Sequence, residues 1–235
     1  MSKWMLWPAA TLLFVPFVVG CNSNEPDTSN SVLGESSETS TDTSSNSEAK
    51  AEETPMPEDD GKYVLLETDK GNITVKFFPE KAPLHVANFK ELVKSGFYDG
   101  TRFHRCIPGF MVQCGDPKSK DLGLYAEWGT GGNMIDGLEK NVKAEFNDID
   151  HKRGILSMAR SQSPDSGSSQ FFIMQADSPG LNGQYSAFGE VVSGMDVVDK
   201  IVVTGDPNDN GKVKADEAIV LKKATIIDPP AGGSE

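Results

Sequence analysis

The sequence predicts a mainly β fold, a closed antiparallel barrel capped by two α-helices. Residues 62–228 contain many short β-prone runs separated by Gly-rich loops, together with two stretches in which apolar residues recur at helical spacing. About 170 residues remain once the polar N-terminal region is set aside, which is ample for one domain with a sizeable core. Short antiparallel strands lose their exposed edges by closing into a barrel, so the pattern favours that architecture.

The domain begins with a predicted hairpin and a helix. Strands are expected at residues 63–67 and 72–78, with turn residues at 69–71 between them. A helix is expected over residues 82–95, ended by Gly96. Its apolar positions have helical spacing: Val86, Phe89, Leu92 and Val93.

A second hairpin is predicted around the Pro-Gly turn at 108–109, in the stretch FHRCIPGFMVQCGD. Alternation along a strand places Phe103 and Arg105 on one face, and Met111 and Gln113 on one face of the returning strand. The hairpin therefore gathers a cation, an amide and apolar side chains, without a nucleophile beside a base. We expect this patch to hold something apolar while offering it a fixed set of hydrogen-bond donors.

The second half of the domain reads in the same way. Residues 154–175, GILSMARSQSPDSGSSQFFIMQ, end in a β-prone run in which Gln170 and Phe172 share a face. The elements expected after it are a turn at 182–183, a strand at 185–191, a helix at 195–202 and a last strand at 218–227.

Five segments occur in one order and at compatible spacing: FHRCIPGFMVQCGD, GTGG (residues 129–132), GILSMA, SSQFFI and SAFGEVVSGMDVVD. Together they resemble the cyclophilin family of peptidyl-prolyl cis–trans isomerases, over roughly residues 62–228. The resemblance implies a closed antiparallel eight-stranded β-barrel capped by two α-helices. It also implies an enzyme that accelerates rotation about X-Pro bonds in flexible or unfolded polypeptides and needs no cofactor.

The resemblance also implies which residues form the site. Arg105, Gln113 and Phe110 are expected to be catalytic. The residues expected to bind substrate are Met111, Ala159, Arg160, Gln170, Phe172, Leu181 and Tyr185. For each aromatic or Met side chain taken alone, core packing is the other interpretation. The residues assigned to the core or to support are Phe103, Ile107, Phe171 and Phe188.

Arg105 is the expected source of the rate enhancement. An X-Pro amide resists rotation because its nitrogen shares a lone pair with the carbonyl group. The twisted amide regains that lone pair, so a guanidinium beside the nitrogen donates to it more strongly than to the planar amide. Arginine suits this role because it stays charged and holds its donors in a rigid fork. The alternative function is a catalytically weak module of the same fold that binds proline segments, as a chaperone does.

Three positions depart from the family pattern. Gly180 stands where many relatives carry tryptophan, which should weaken binding of the cyclic peptide cyclosporin more than turnover. Cys114 occupies a position that is usually glycine, so its side chain is expected to crowd the strand or shift the backbone. Arg160 replaces the asparagine of many eukaryotic members. The expected contact there is through the backbone, so the change should be mild.

Residues 1–20 are predicted to be a lipoprotein signal peptide. Lys3 precedes an uncharged apolar run, and the sequence Val-Val-Gly-Cys at 18–21 resembles the bacterial lipoprotein cleavage box. Acylation of Cys21 would anchor an exported protein to a bacterial membrane, on its periplasmic or cell-surface side. An ordinary signal peptide or an uncleaved anchor is the other interpretation.

Residues 21–60 are predicted to be the lipidated cysteine and a disordered acidic tether. The stretch 22–60 holds eleven Asp and Glu residues against one lysine, so it carries −10 of the formal −13. Such a segment cannot bury enough apolar surface to become ordered. At ~5–6 Å × √n, it would place the domain about 30–40 Å from the membrane. An interaction tail for a basic partner is the alternative. The isomerase domain is then 61–229, followed by a flexible tail at 230–235.

No metal site and no nucleic-acid partner are expected, and the protein is expected to be a monomer. Residues 206–217 match the calcium-loop pattern D-x-[DN]-x-[DN]-G-x5-E, but Pro207 and two lysines disfavour a cation, so a turn-rich surface loop is preferred. Cys106 and Cys114 are expected to lie too far apart along their hairpin for a disulfide. The chain has no basic stripe of the kind that binds nucleic acid.

Overall fold

The computed structural model describes residues 60–230. The predicted signal peptide, Cys21, the tether up to residue 59 and residues 231–235 of the predicted tail lie outside the described residues. Within 60–230, no helix has both the length and the apolar character needed to cross a bilayer.

The described chain is built mainly from short antiparallel strands. In chain order the elements are β1 (Tyr63–Thr68), β2 (Gly71–Phe77), α1 (Pro83–Lys94), β3 (Arg105–Ile107), β4 (Met111–Cys114), β5 (Met134–Ile135), β6 (Leu138–Glu139), β7 (Ile155–Met158), β8 (Phe171–Met174), β9 (Ala187–Ser193), α2 (Met195–Val202) and β10 (Leu221–Ile227). Eight strands form one curled sheet in the order β10-β1-β2-β9-β7-β8-β4-β3, while β5 and β6 form a separate hairpin. The predicted mainly β fold with two helices is confirmed.

The predicted closed barrel is not confirmed, because β3 and β10, which end the sheet, are not paired as strands. β3 is three residues long, and the chain before it leaves the ladder. Backbone hydrogen bonds nevertheless link the segment before β3 to the start of β10 and to the residues just before it. Gly100 N–H donates to Leu221 O (2.8 Å), and Phe103 N–H donates to Ile219 O (3.0 Å). The sheet is therefore a curled, open one whose two ends approach each other here.

The inner face of the sheet and both helices bury one apolar core. The four apolar positions predicted for α1 are all buried there, and α2 has the predicted bounds 195–202. Phe89 of α1 lies within 4.9–5.4 Å of three other rings, which are those of Tyr98, Phe171 and Phe188. Helix α1 packs on β9 and β10, and α2 packs on β2, β3 and β4. The core assignment of Phe103, Phe171 and Phe188 is confirmed by their full burial.

Three details of the sequence prediction are wrong, the simplest being that the last strand, predicted from residue 218, begins at Leu221. Phe103 and Arg105 do not share a face, because Phe103 is buried in the main core while Arg105 lies half-buried on the other side of the sheet. Phe103 precedes β3, so strand alternation does not extend through it. The strand predicted from residue 185 begins at Ala187, since Tyr185 lies in a bend after the turn at Gly183, whose φ is +68°.

The two described cysteines are free and buried. Cys106 pairs with Val112 across the hairpin, and burial raises the pKa of both thiols to about 12. Cys114 is accommodated in β4, with Sγ 3.5 Å from Thr101 Oγ1. The residue that must be glycine is the next one, Gly115, because its φ is +91° and a Cβ would lie 2.5 Å from a backbone oxygen.

Candidate active site

A cavity of about 100 Å³ lies on the face of β3, β4 and β8 opposite the main core. Nine of the ten predicted site residues line it: Arg105, Phe110, Met111, Gln113, Ala159, Arg160, Phe172, Leu181 and Tyr185. The tenth, Gln170, lines a neighbouring cavity of about 230 Å³ that shares Gln113, Ala159 and Arg160 with the first. The structure thus brings the predicted residues together in two adjoining cavities.

The strand register explains why these residues meet. Arg105 of β3 pairs directly with Gln113 of β4, Gln113 pairs with Phe172 of β8, and Phe172 pairs with Ser157 of β7. Directly paired residues of antiparallel strands project to the same side of the sheet. A cation, an amide and an aromatic ring therefore stand in one row across three strands.

Pro108 and Gly109 form the turn that returns the chain from β3 to β4. Gly109 has φ +76°, which glycine adopts without steric cost, and Phe110 N–H donates to Ile107 O (3.0 Å). The turn places Phe110 at the rim of the cavity, where its carbonyl accepts from Gln175 N–H (2.8 Å). The Pro-Gly pair thus fixes both the register and one wall of the site.

Two glutamine side chains form a directed chain of hydrogen bonds that ends at Arg105. The Gln170 Nε2 group donates to the carbonyls of Gly129 (3.0 Å) and Gly131 (2.8 Å). Its Oε1 therefore accepts from Gln113 Nε2 (2.9 Å), and Gln113 Oε1 accepts from Arg105 Nη1 (3.4 Å). Because carbonyls only accept and a guanidinium only donates, the orientation of both amides is fixed. The GTGG segment thus sets the polarity of the whole chain.

Arg105 is held by neutral oxygens. Its Nε donates to the Asn210 carbonyl (3.1 Å) and its Nη2 donates to Asn210 Oδ1 (2.9 Å), in addition to the Nη1 contact with Gln113. Burial lowers the pKa of Arg105 below its ordinary value, which is so high that the group remains charged at neutral pH. The sequence offered Asn210 only as part of the disfavoured calcium pattern and not as a partner of Arg105, which lies 105 residues earlier in the chain.

Asn210 belongs to the stretch 206–217 that matches the calcium-loop pattern. Its Oδ1 accepts from a guanidinium, Asp206 Oδ1 accepts from Asn208 N–H (2.8 Å), and Glu217 pairs with Lys214 (3.1 Å). In the part of the chain that the structure describes, no three His, Cys, Asp or Glu side chains group as a metal site. Oxygens that the calcium pattern would use therefore have other partners.

Aromatic rings and a methionine form the apolar wall. Met111 and Phe172 are buried, while Phe110, Leu181 and Tyr185 are partly buried around them. Phe172 meets Tyr185 edge-on (centroids 5.7 Å, 84°) and is stacked near His151 (6.2 Å, 22°).

His151, which sequence reasoning left without a specific role, supports this wall from behind. Its ring is buried, and Nε2 lies 3.0 Å from Ser157 Oγ. Burial lowers the pKa of His151, although a hydrogen bond with Asn182 and the charge of Asp150 oppose this shift. The imidazole is therefore neutral at physiological pH, and the wall behind Phe172 carries no charge.

The Arg160 side chain itself takes part in the site, whereas the sequence predicted a contact through its backbone only. Its guanidinium lies over the Tyr185 ring (4.5 Å), and its Nε and Nη2 donate to Gln184 O (3.2 and 2.9 Å). It lines both cavities. By contrast, a Cβ at Gly180 would meet nothing within 4 Å, so the rim beside Leu181 is open.

The arrangement suits non-covalent chemistry. The first cavity combines an apolar wall with two guanidinium groups and an amide, and among the described residues that line it there is no carboxylate or thiol. Such a site can hold a ring-shaped apolar group and donate hydrogen bonds to polar atoms next to it.

Known proteins share this sequence and fold. Residues 63–226 match the family described as "Cyclophilin type peptidyl-prolyl cis-trans isomerase/CLD". The chain is similar to a "Probable peptidyl-prolyl cis-trans isomerase" of Brucella abortus (47% identity over 179 residues, covering 75% of this chain and 88% of the relative). It is also similar to the "Peptidyl-prolyl cis-trans isomerase A" of Dickeya dadantii (46% over 173 residues, 70% and 84%). A Cryptosporidium parvum cyclophilin-type isomerase, solved in the presence of the dipeptide Ala-Pro, matches with a TM-score of 0.60 and 30% identity, covering 71% of this chain and 99% of that one.

Proposed function

The chain belongs to the cyclophilin-type peptidyl-prolyl cis–trans isomerase family, and on that premise we propose that Arg105 carries its catalysis. The activity of the chain is isomerisation of X-Pro peptide bonds. The observation that carries the proposed role is that Arg105 is a charged, half-buried donor on an apolar cavity, held by uncharged partners.

The apolar wall of Met111, Phe172 and Leu181 would hold the proline ring, and Phe110 would close one side of it. Gln113 would bind the substrate backbone, with its orientation set by Gln170. Ala159, Arg160 and Tyr185 would meet the residues before the proline. With the ring fixed, the other side of the amide is free to swing.

Rotation about the amide bond has a barrier of about 18–20 kcal/mol because of lone-pair resonance. In the twisted state the proline nitrogen is pyramidal and can accept a hydrogen bond. A guanidinium at this nitrogen stabilises the twisted amide more than the planar one, and that difference accelerates exchange. No bond is made or broken in this step, which agrees with a cavity lined by donors and apolar groups.

For the substrates, we propose flexible proline-containing segments of exported proteins, whose folding the enzyme would assist. The support is the sequence of residues 1–60: an apolar leader, a cleavage-box cysteine and a polar acidic stretch. A lipid at Cys21 would keep a monomeric domain on a tether at the periplasmic or cell-surface side of a bacterial membrane.

The catalytic role is tested with the full chain in a mild detergent, by measuring cis-to-trans exchange of an X-Pro peptide. The parent should accelerate exchange, and Arg105→Ala should lose most of this acceleration, by about 100-fold or more, while still binding the peptide. Parental rates in Arg105→Ala would refute the role of Arg105. A parent chain that binds the peptide without accelerating exchange would indicate the binding module instead.

The anchor is tested separately, by expressing the full chain in bacteria supplied with radiolabelled palmitate. The parent should incorporate label and fractionate with membranes, and Cys21→Ser should do neither. An unlabelled parent, or label that persists in Cys21→Ser, would contradict the lipoprotein proposal.

A further inference from the structure

We propose that Asn210 is a positioning residue for Arg105: it fixes the guanidinium at the substrate with two uncharged oxygens and so leaves its positive charge available to the twisting amide. This inference rests on the proposed catalytic role of Arg105. It gives a function to the loop 205–213, part of which matches the calcium-loop pattern that the sequence analysis disfavoured.

The contact is bidentate and comes from a single residue. The Asn210 carbonyl accepts from Nε (3.1 Å) and its Oδ1 accepts from Nη2 (2.9 Å), so one edge of the planar guanidinium is held at two points. Gln113 Oε1 accepts from Nη1 on another edge (3.4 Å). These three contacts fix the plane of the group, and two of its five N–H bonds remain for a substrate.

The loop that presents Asn210 is docked firmly on β3. Cys106 N–H donates to Gly211 O (2.7 Å), Val213 N–H donates to His104 O (3.0 Å), and Lys212 bridges Arg105. A Cβ at Gly211 would lie 2.5 Å from the Cys106 carbonyl oxygen, so the two backbones are in close contact. Asn210 is therefore placed by the backbone beside the residue whose side chain it holds.

The backbone of Asn210 restricts which residues can stand there. Its φ is +49°, in the left-handed region where asparagine and aspartate are the best tolerated side chains apart from glycine. The residue is exposed, so burial does not account for its conformation. Of the two tolerated residues with an oxygen at this position, asparagine holds the arginine without neutralising it.

Carboxylates are close in sequence and yet are not used. Asp206 and Asp209 belong to the same loop, but within residues 60–230 the Arg105 side chain donates to Asn210 and Gln113 instead. An ion pair would draw the guanidinium charge toward the loop and weaken its donation to the proline nitrogen. The neutral amide thus has a chemical reason as well as a steric one.

The test compares Asn210→Asp, Asn210→Gly and the charge-matched control Asn208→Asp in the full chain. Asn208 is an exposed residue of the same loop, and its backbone N–H donates to Asp206 rather than holding Arg105. Peptide exchange is measured over a range of peptide concentrations, which separates kcat from KM. We expect Asn210→Asp to lower kcat about tenfold with little change in KM, Asn210→Gly to lower it about threefold to fivefold, and Asn208→Asp to leave both unchanged.

Three outcomes would overturn the inference. Parental kcat in both Asn210 variants would show that the contact does not matter. An equal loss in Asn208→Asp would indicate a general effect of loop charge, and a rise in KM alone would indicate a substrate contact. The double variant Arg105→Ala/Asn210→Asp should be no slower than Arg105→Ala, because the residue held is already gone. If Arg105→Ala itself keeps parental activity, the proposed function fails; if it loses activity while Asn210 variants do not, only this inference fails.

Discussion

Two arginines in different regions of the sheet surface each make three side-chain hydrogen bonds. Arg105 is held by uncharged oxygens alone, whereas Arg153 is held mainly by a carboxylate. Arg153, just before β7, makes a bidentate ion pair with Asp199 of α2 (2.9 and 2.7 Å) and donates to Gln175 O (2.7 Å). Hydrogen bonding to Asp199 raises the pKa of Arg153, whereas burial lowers the pKa of Arg105. The structural arginine is neutralised by its partner. The arginine at the cavity is immobilised by amides and carbonyls, which leave its charge free for another molecule.

The first prediction compares lysine substitutions at the two arginines and carries the largest expected effect, at Arg105. Lysine keeps the positive charge but lacks the planar guanidinium with its several N–H donors. Arg105→Lys cannot reach Asn210 and Gln113 together, so kcat/KM for peptide exchange should fall about tenfold to a hundredfold. For Arg153→Lys, kcat/KM for peptide exchange should stay within about twofold of the parent value. Equal effects at the two positions would break the comparison.

The second prediction places a carboxylate beside Arg105. Gln113→Glu would form an ion pair with Arg105. The new carboxylate could no longer donate to Gln170 Oε1, so two hydrogen-bond acceptors would face each other there. We therefore expect kcat to fall about tenfold at neutral pH. Activity should recover as the pH falls through the pKa of the new carboxyl group, because the protonated acid again resembles an uncharged amide. Exchange rates between pH 4 and 8 check this, with Asn208→Asp as the charge-matched control. A flat profile would count against the need for a neutral partner.

A carboxylate that serves structure should behave differently. Glu145 accepts from Leu84 and His85 N–H at the start of α1 (both 2.9 Å). Burial would raise the pKa of Glu145, but hydrogen bonds from the His85 side chain and these two amides lower it overall. Its stabilisation is therefore present above the carboxyl's unfolded pKa and lost as the pH falls through the folded one.

Glu145→Gln should lower the free energy of unfolding by about 1–2 kcal/mol at pH 7, and the difference from the parent should shrink as the pH falls through the folded pKa of the carboxyl group. Urea unfolding at several pH values measures this, and the exchange rate of the folded variant should match the parent. A deficit that persists unchanged at acid pH would mean that the carboxylate charge is not the cause.

The smallest effect is expected at the Arg153 ion pair. Both side chains are about 40% exposed (40% and 43%), so Asp199→Asn should cost less than about 1 kcal/mol, and less still in high salt. Hydrogen bonds from Arg153 and Gln175 lower the pKa of Asp199, so the parent's advantage is present above the unfolded pKa and fades as the pH falls. Asp199→Asn should isomerise peptide at the parental rate. A change in kcat would contradict the expectation that the Arg153 ion pair and the Arg105 site act independently.

The family resemblance predicted the set of site residues, and local pattern explained why a few of them share a face. Alternation in the short strands β3 and β4 placed Arg105 with Gln113 and Met111, because regular strands obey that rule. It failed at Phe103, which lies just outside β3, and barrel closure is not confirmed because the two edge strands β3 and β10 do not pair with each other. The roles of the site residues stay predictions, since position in a cavity does not establish a role.

The sequence could not predict those site contacts that form between residues far apart in the chain. Asn210 before Gly211 signals a turn with a left-handed residue, but nothing in that signal names Arg105 as its partner. His151 behind Phe172 and the Arg160 side chain over Tyr185 are likewise contacts between segments that are not strand neighbours. Such contacts follow from loop placement, for which periodicity gives no information.

The loop 205–213 also protects an exposed edge of the sheet. An edge strand normally exposes unpaired N–H and C=O groups on which an unfolded chain can add itself as a further strand, the first step of aggregation. At β3 the loop occupies the N–H of Cys106 and supports the bridge at Lys212, while the carbonyl of His104 just before the strand is also taken. A peptide that reaches Arg105 therefore meets side chains rather than unpaired backbone groups. Strand addition at this edge of the sheet is therefore blocked where the loop is docked.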